Sequence, residues 1–345
     1  MSAIGNVTAN TELVDMAMSY SRSCILCAAA RLGIADALGN DERTVEEVAQ
    51  ACNADAASLY RLLRALAVLG ITTESVPRRF ALTPFGQPLR KDAPNSVWAS
   101  VVFWSDLLAD SWSHLTECIR TGNTAMQIMQ QKGITSRWAT APDANAIFRA
   151  VMGTAPAEDY LPITKQWDFA SRQVIADLGG GGGSLLAAIL STSPQLQGML
   201  VDRSESIEAA KPRFQNNDLA TRCKLIAADL STEVPRGADT YILKHVLHGY
   251  TDTAAAELLR NCRNVMDGDA RLLIIEFVLP DVISEPNPQL QGRFFSDINM
   301  LAVTGGKERS AVEWSTLLQA SGFTIVQFIP VAEMDISIIE ARTAS

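Results

Sequence analysis

Apolar residues recur every three or four positions through "TELVDMAMSYSRSCILCAAARLGIADAL", Thr11 to Leu38, and the run stops at Gly39. That spacing predicts helix with one buried face. "TVEEVAQACNADAASLYRLLRALAVLGI", Thr44 to Ile71, predicts a short helix, a turn and a second helix. Thr44 stands three residues before Glu47, the spacing at which a helix start is capped reciprocally. "RRFALTPFGQPL" follows from Arg78, strand-like and punctuated by Pro and Gly. Helix, turn, helix and a small β-wing make a winged-helix pattern, and helical spacing continues to about Asp168.

From Gln173 the period changes. "VIADL" (Val174 to Leu178), "GMLVD" (Gly198 to Asp202), "CKLIAAD" (Cys223 to Asp229), "DTYILK" (Asp239 to Lys244) and "ARLLIIEFVL" (Ala270 to Leu279) are short and mostly apolar. Unbroken apolar strands are buried on both faces, as in parallel sheets covered by helices. Helical stretches such as Thr253 to Met266 separate them. The last two runs, Phe323 to Val331 and Met334 to Arg342, lie two residues apart. No crossover helix fits between them, so they predict an antiparallel hairpin. The expected fold is a doubly wound, mostly parallel seven-stranded sheet closed by that hairpin. It occupies residues 169–345, after a mainly helical, winged-helix-like domain over 1–168.

Composition narrows the function. The chain has 345 residues, is 48% hydrophobic and carries a formal net charge of −9. That balance disfavours nucleic acid, whose phosphates need a basic surface. The second helix of the winged segment, Ser58 to Ile71, has only Arg61 and Arg64 among Leu, Ala and Val, so it fits a protein surface better than DNA. Dimerisation is expected of this domain. The N-terminus shows no basic-then-apolar leader, and "CILCAAA" is far short of the roughly 20 apolar residues a membrane span needs. A cytoplasmic protein without membrane contact is expected. Cys24 and Cys27 form a C-x-x-C with no second pair and no nearby His, so they read as buried free thiols; no metal set is visible. Trp98, Phe103, Trp104, Trp112, Trp138 and Phe148 read as helical core, some of them lining a flat pocket.

Candidate chemistry gathers at the strand ends. "ADLGGGGGSLLAAIL" puts five glycines between the first strand and its helix. Glycine costs about 0.5–1 kcal/mol per position in regular structure, so the run suggests a ligand close to the backbone. Gly179 and Gly181 fit a dinucleotide loop, but Ser184 stands at its third glycine position. Asp177, just before the loop, disfavours a pyrophosphate and suits a cationic, phosphate-free ligand such as S-adenosylmethionine. Asp202 ends the second strand, placed for ribose hydroxyls, as it would be for NAD. Asp229 adds a third acid. His245 and His248 follow the fourth strand in "LKHVLHGYTD". Glu276 lies in an apolar strand, where a charge needs a partner, and Glu308 lies in "GGKERS". If both acids meet His248, they orient the ring and raise its basicity, which makes a general base.

The order "DLGGGGG", "VDRS", "AADLSTEVP", "LKHVLHGYTD", "IIEFVLP" and "GGKERSAVEWSTLLQASGF" resembles the class I S-adenosylmethionine-dependent O-methyltransferases of the caffeate/hydroxyindole type, with their bacterial relatives in aromatic natural-product biosynthesis. The resemblance spans nearly the whole chain and implies a homodimer through the N-terminal domain. It implies His248 as base, flanked by Glu276 and Glu308. It places cofactor contacts on the glycine loop, Asp202, Asp229 with Leu230, and Lys244. Met152 falls at the seam between substrate and cofactor; Phe103, Trp104, Asn299 and Met300 fall on the pocket lining for a small aromatic acceptor. One departure stands out: His248-Gly249-Tyr250 replaces the usual His-Asp-Trp, which keeps C- or N-methylation open. A ligand-sensing winged-helix regulator and a nicotinamide oxidoreductase are the rival classes.

Overall fold

The computed structural model describes residues 3–153, 155–215 and 218–344. It divides into two compact units, Met1–Asp110 with Thr135–Val151, and Ser111–Ile134 with Met152–Ser345. The chain therefore crosses from one unit to the other three times.

In the first unit, α1 (Ala3–Leu32) and α2 (Ile34–Leu38) replace the single helix expected through Leu38. Gly33 interrupts it at φ +69°, a left-handed conformation that a right-handed helix cannot continue through. Next come β1 (Arg43–Thr44), α3 (Val45–Cys52), α4 (Ala56–Val68), β2 (Thr72–Val76) and β3 (Arg79–Leu82). The strands pair antiparallel in the order β1-β3-β2. The cap at Thr44 forms as the spacing predicted: its N–H donates to Glu47 Oε2 at 2.7 Å, and Glu47 N–H donates back to Thr44 Oγ1 at 3.3 Å. Leu38, Val45, Val48, Leu63, Leu66 and Phe80 form the buried centre. Cys24 is exposed and Cys27 half-buried, so the expectation of buried thiols fails there: Ile25, Leu26 and Ala29 take the core-facing positions of this stretch of α1 instead. Phe103–Leu107 forms one π-helical turn, and Phe103 packs against Trp104, Trp138 and Phe148 at centroid distances of 5.3, 6.2 and 6.1 Å. The returning segment is tied to α1 where Asp143 pairs with Arg31 at 2.8 Å; Arg31 also pairs with Asp106 at 2.6 Å.

In the second unit, β4 (Val174–Leu178), β5 (Gln197–Asp202), β6 (Cys223–Ala227), β7 (Thr240–Lys244) and β8 (Arg271–Glu276) run parallel. Two short strands, β9 (Val278–Leu279) and β10 (Arg309–Ser310), form a separate parallel pair. The last two, β11 (Phe323–Val331) and β12 (Ile336–Thr343), form the expected antiparallel hairpin. The sheet order is β11-β12-β8-β7-β4-β5-β6. Side chains alternate between two cores. Leu272 and Ile274 join Tyr241, Leu243 and Trp314 on one face, while Leu273 and Ile275 join Ile242, Leu200 and Leu186 on the other. Each such apolar side chain contributes about 1.5–3 kcal/mol on burial.

Two departures bear on the site. The run read as one strand from Ala270 to Leu279 breaks at Phe277, so β9 leaves the sheet and pairs with β10, directly after Glu308. The third strand ends at Ala227, leaving Asp229 in the following loop. Strand order reverses between β4 and β7, and in open α/β sheets ligands bind at the carboxyl ends beside such a reversal.

Candidate active site

The glycine turn leaves β4 at that reversal. Gly181 takes φ +55°, and a Cβ there would meet nothing within 4 Å, so this position opens outward. At Gly180 a Cβ would lie 2.5 Å from both Asp177 Oδ2 and Leu200 Cδ1. Internal packing therefore demands Gly180 without any ligand, and only part of the glycine run leaves room for one. The Gly181 N–H donates to Asp202 Oδ2 at 2.8 Å, and the Arg203 N–H donates to Asp202 Oδ1 at 2.7 Å. Asp202 is thereby fixed at the end of β5, half-buried.

Asp177 lies beneath the loop, 1% exposed, and neither carboxylate oxygen has a hydrogen-bond partner. Burial pushes its pKa up to about 7, with the nearby Asp202 charge adding to the shift, while Lys244 opposes it and the Leu186 backbone opposes it least. Lys244 is lowered by burial, against the pull of Asp177 and Glu276. Its Nζ sits 5.0 Å from the centre of the Tyr160 ring. Asp229 is exposed and accepts from Ser231 N–H at 2.9 Å and from its Oγ at 2.7 Å, whereas Leu230 is buried.

At the end of β7 the chain turns sharply, with His245 at φ +50°. A single 3₁₀ turn, Leu247–Gly249, then presents His248. Glu276, fully buried, anchors this turn from β8: its Oε1 accepts from the N–H groups of Val246 at 3.0 Å and His248 at 3.3 Å. Its Oε2 faces His245 Nδ1 at 3.1 Å and His248 Nδ1 at 3.7 Å. Glu308 Oε1 takes the close contact with His248 Nδ1, at 2.8 Å, and also accepts from Ser296 Oγ at 2.6 Å. The two acids thus divide the work: Glu308 holds the His248 ring, and Glu276 holds its backbone while hydrogen-bonding to His245. Burial acts most strongly on the His248 pKa, downward, but the Glu308 hydrogen bond and the two carboxylate charges outweigh it and leave the pKa raised. Glu276 ends lowered: burial lifts it, and the two imidazoles and the His248 amide more than compensate.

Arg309, wholly buried, clamps the turn by donating to the Leu247 carbonyl at 3.0 Å, the Tyr250 carbonyl at 3.0 Å and Asp252 Oδ1. Neither Arg309 nor Ser296 stood out in the sequence: Arg309 reaches partners 57 to 62 residues away, and Ser296 meets Glu308 12 residues on from a helix that shows no pattern pointing to it. At Gly249 a Cβ would meet nothing within 4 Å. Asn299 and Met300 ride on the helix Gln291–Val303, the same helix that carries Ser296; Asn299 is buried with Oδ1 unpartnered. Met152 is 53% exposed. Phe103 and Trp104 belong to the first unit, Phe103 buried and Trp104 exposed. No metal cluster was visible in the sequence, yet the fold brings donor atoms of His245, His248 and Glu276 within 4.8 Å of one another.

Residues 112–324 match the model of an O-methyltransferase domain, and residues 14–92 match an O-methyltransferase dimerisation domain. The chain is 34% identical to O-demethylpuromycin-O-methyltransferase of Streptomyces alboniger, over 96% of this chain and 89% of that one. Among solved structures it is similar to the mitomycin 7-O-methyltransferase MmcR, with TM-score 0.88, 29% identity and coverage of 99% and 100%. It is also similar to the O-methyltransferase NcsB1 of neocarzinostatin biosynthesis, solved with S-adenosylmethionine and 2-hydroxy-5-methyl naphthoic acid, with TM-score 0.76, 29% identity and coverage of 93% and 96%.

Proposed function

Because the chain belongs to the O-methyltransferase family, we propose that it is an S-adenosylmethionine-dependent enzyme that methylates a hydroxyl of a small aromatic metabolite, with His248 as general base. The observation that carries this is the 2.8 Å contact between His248 Nδ1 and the buried Glu308 carboxylate. A carboxylate only accepts, so Nδ1 holds the hydrogen and Nε2 presents a lone pair. Nε2 takes the proton of a phenolic hydroxyl, and the resulting oxyanion is the nucleophile. Glu276 keeps the ring in place through the backbone and lends charge to the imidazolium that forms.

The cofactor assignment fits the residues present. Gly181 leaves space beside the backbone, Asp202 is pinned by two amides with its carboxylate at the strand end, and Leu230 is an apolar surface beside Asp229. Asp177 supplies partial negative charge from below, and the Lys244 charge is attracted by both Asp177 and Glu276. Gly179, Gly181, Asp202, Asp229, Leu230 and Lys244 are assigned to the cofactor. S-adenosylmethionine, when bound, provides an electrophilic methyl group on a sulfonium. The acceptor is assigned to Met152, Asn299 and Met300 of the second unit, with Asn299 Oδ1 available to accept a hydrogen bond. A homodimer through the N-terminal domain accords with the apolar row Leu13, Met16 and Tyr20, which is 65%, 72% and 72% exposed on α1. Among the described residues no helix is long and apolar enough to cross a membrane.

Gly249 stands where the resemblance expects an acid beside the base, and that departure keeps a second reading open, in which the reactive atom is nitrogen or carbon. Incubation with S-adenosylmethionine and a panel of phenols, naphthols and aryl amines tests both. S-adenosylhomocysteine should accumulate, and fragmentation of the product should place the methyl on oxygen. A product methylated on nitrogen or carbon overturns the choice of atom, and no S-adenosylhomocysteine with any acceptor overturns the function.

A further inference from the structure

The turn after β7 brings together more nitrogen and oxygen donors than a single general base requires. We propose that His245, His248 and Glu276 form a site for one zinc-class divalent cation, and that filling it withdraws His248 from its role as base. The second half rests on the proposed function; the first does not.

The donor set suits zinc. Two imidazole nitrogens and one carboxylate oxygen are three protein ligands of the kinds zinc prefers, leaving one position for water. At bond lengths of about 2.1 Å, the ligands of a tetrahedral ion stand about 3.4 Å apart. Glu276 Oε2 stands 3.1 Å from His245 Nδ1 and 3.7 Å from His248 Nδ1, on either side of that separation. All three donors lie within 4.8 Å of one another, so only small ring movements are needed to converge.

The carboxylate is also oriented in advance. Oε1 is held by the Val246 and His248 amides, which leaves Oε2 to face the rings. Such outer hydrogen bonds fix ligands in metal sites. The positive φ of His245 turns the chain so that two residues three apart can share one buried acid. The His245 and His248 side chains are 30% and 17% exposed, which gives an ion a way in, while the acid is fully buried. Beside the site, Glu308 Oε2 is buried without a hydrogen-bond partner. Two buried carboxylates next to two imidazoles are a place where added positive charge is favoured.

The proton count gives the consequence. Coordination through Nδ1 uses the lone pair of that atom. The hydrogen that Nδ1 held toward Glu308 is released, and the neutral ring carries its hydrogen on Nε2 instead. Nε2 is then a donor and cannot take a hydroxyl proton. The His248 ring thus exchanges an Nδ1–H for an Nε2–H bond through solvent with no net change in protons, the nitrogen–metal and oxygen–metal bonds replace waters that leave the ion, and nothing is oxidised or reduced.

Titration of metal-free protein with cobalt(II) chloride, followed by visible absorption and then by zinc chloride competition, tests the site. One equivalent of cobalt should give tetrahedral d–d bands without thiolate charge-transfer bands, which separates this site from the six free cysteines. His245→Asn should weaken cobalt and zinc binding at least about tenfold, with circular dichroism confirming the fold. Cys24→Ser/Cys27→Ser should leave binding unchanged. Zinc should inhibit methyl transfer, reversibly with EDTA, and each variant is compared with its own metal-free rate. No stoichiometric cobalt spectrum, or equal affinity in His245→Asn, overturns the site. An occupied site that leaves the rate unchanged overturns its link to His248. Absence of methyl transfer in metal-free protein would instead count against the proposed function, and the cobalt titration would still decide the site.

Discussion

At the scale of single residues, His248 and Asp177 make opposite demands on pH. His248 must be neutral to accept a proton, and its pKa is raised, so the rate should climb as pH rises through that raised value. Glu308→Gln removes the closest of the raising influences, and the acidic limb of the kcat profile should move to lower pH while the plateau falls. His248→Ala should lower kcat by about 10²–10⁴-fold, the usual worth of a positioned base, with little change in cofactor affinity measured by calorimetry. As a raised cation, His248 adds stability that is full below its unfolded pKa and is lost as pH rises through the folded one. Asp177 behaves in the other sense. Its folded pKa of about 7 stands above the ordinary aspartate value of 3.8, so the folded state holds a proton that the unfolded state has given up. Stability should therefore decline as pH rises from about 4 to about 7, by at most about 4 kcal/mol. Asp177→Asn should flatten that slope in urea titrations run across the same range; an unchanged slope would show that other groups cause it.

At the scale of elements, the turns hold side chains by contacts that a substitution can test one at a time. Gly180→Ala places a methyl 2.5 Å from Asp177 and Leu200 and should cost about 1–3 kcal/mol in thermal or urea unfolding. Gly249→Ala, which meets nothing, should stay within about 0.5 kcal/mol of the parent. Local features of this kind were partly legible beforehand. The Thr44 cap and the terminal hairpin rest on residues close in sequence, and each follows from spacing alone. The break at Gly33 was harder to see, since a glycine inside a periodic run is tolerated as often as it interrupts. The split of the Ala270–Leu279 run depends on Arg309 and Ser310 offering a partner some thirty residues later, which no local pattern reveals. The same holds within the site. Glu276 stood out as a charge in an apolar strand and His248 by its place after the fourth strand, but which acid meets which ring is decided by how β7, β8 and the segment before β10 lie side by side.

For the whole molecule, the apolar row on α1 carries the expectation of a dimer. Leu13→Lys/Met16→Lys/Tyr20→Lys should convert a dimer to a monomer in sedimentation equilibrium and leave cofactor binding by the α/β unit intact; a dimer that persists would place the interface elsewhere. The three crossings between units have a different effect. Residues 111–134 are built into the second unit and residues 135–151 return to the first, where Asp143 pairs with Arg31 and Arg137 with Asp106. Neither unit is one uninterrupted stretch of polypeptide. Exchanging the helical half for that of a relative by a single recombination point would therefore leave each product with a foreign helical pair or a missing one. In such a chain, new acceptor preferences should arise more readily by point substitution than by shuffling.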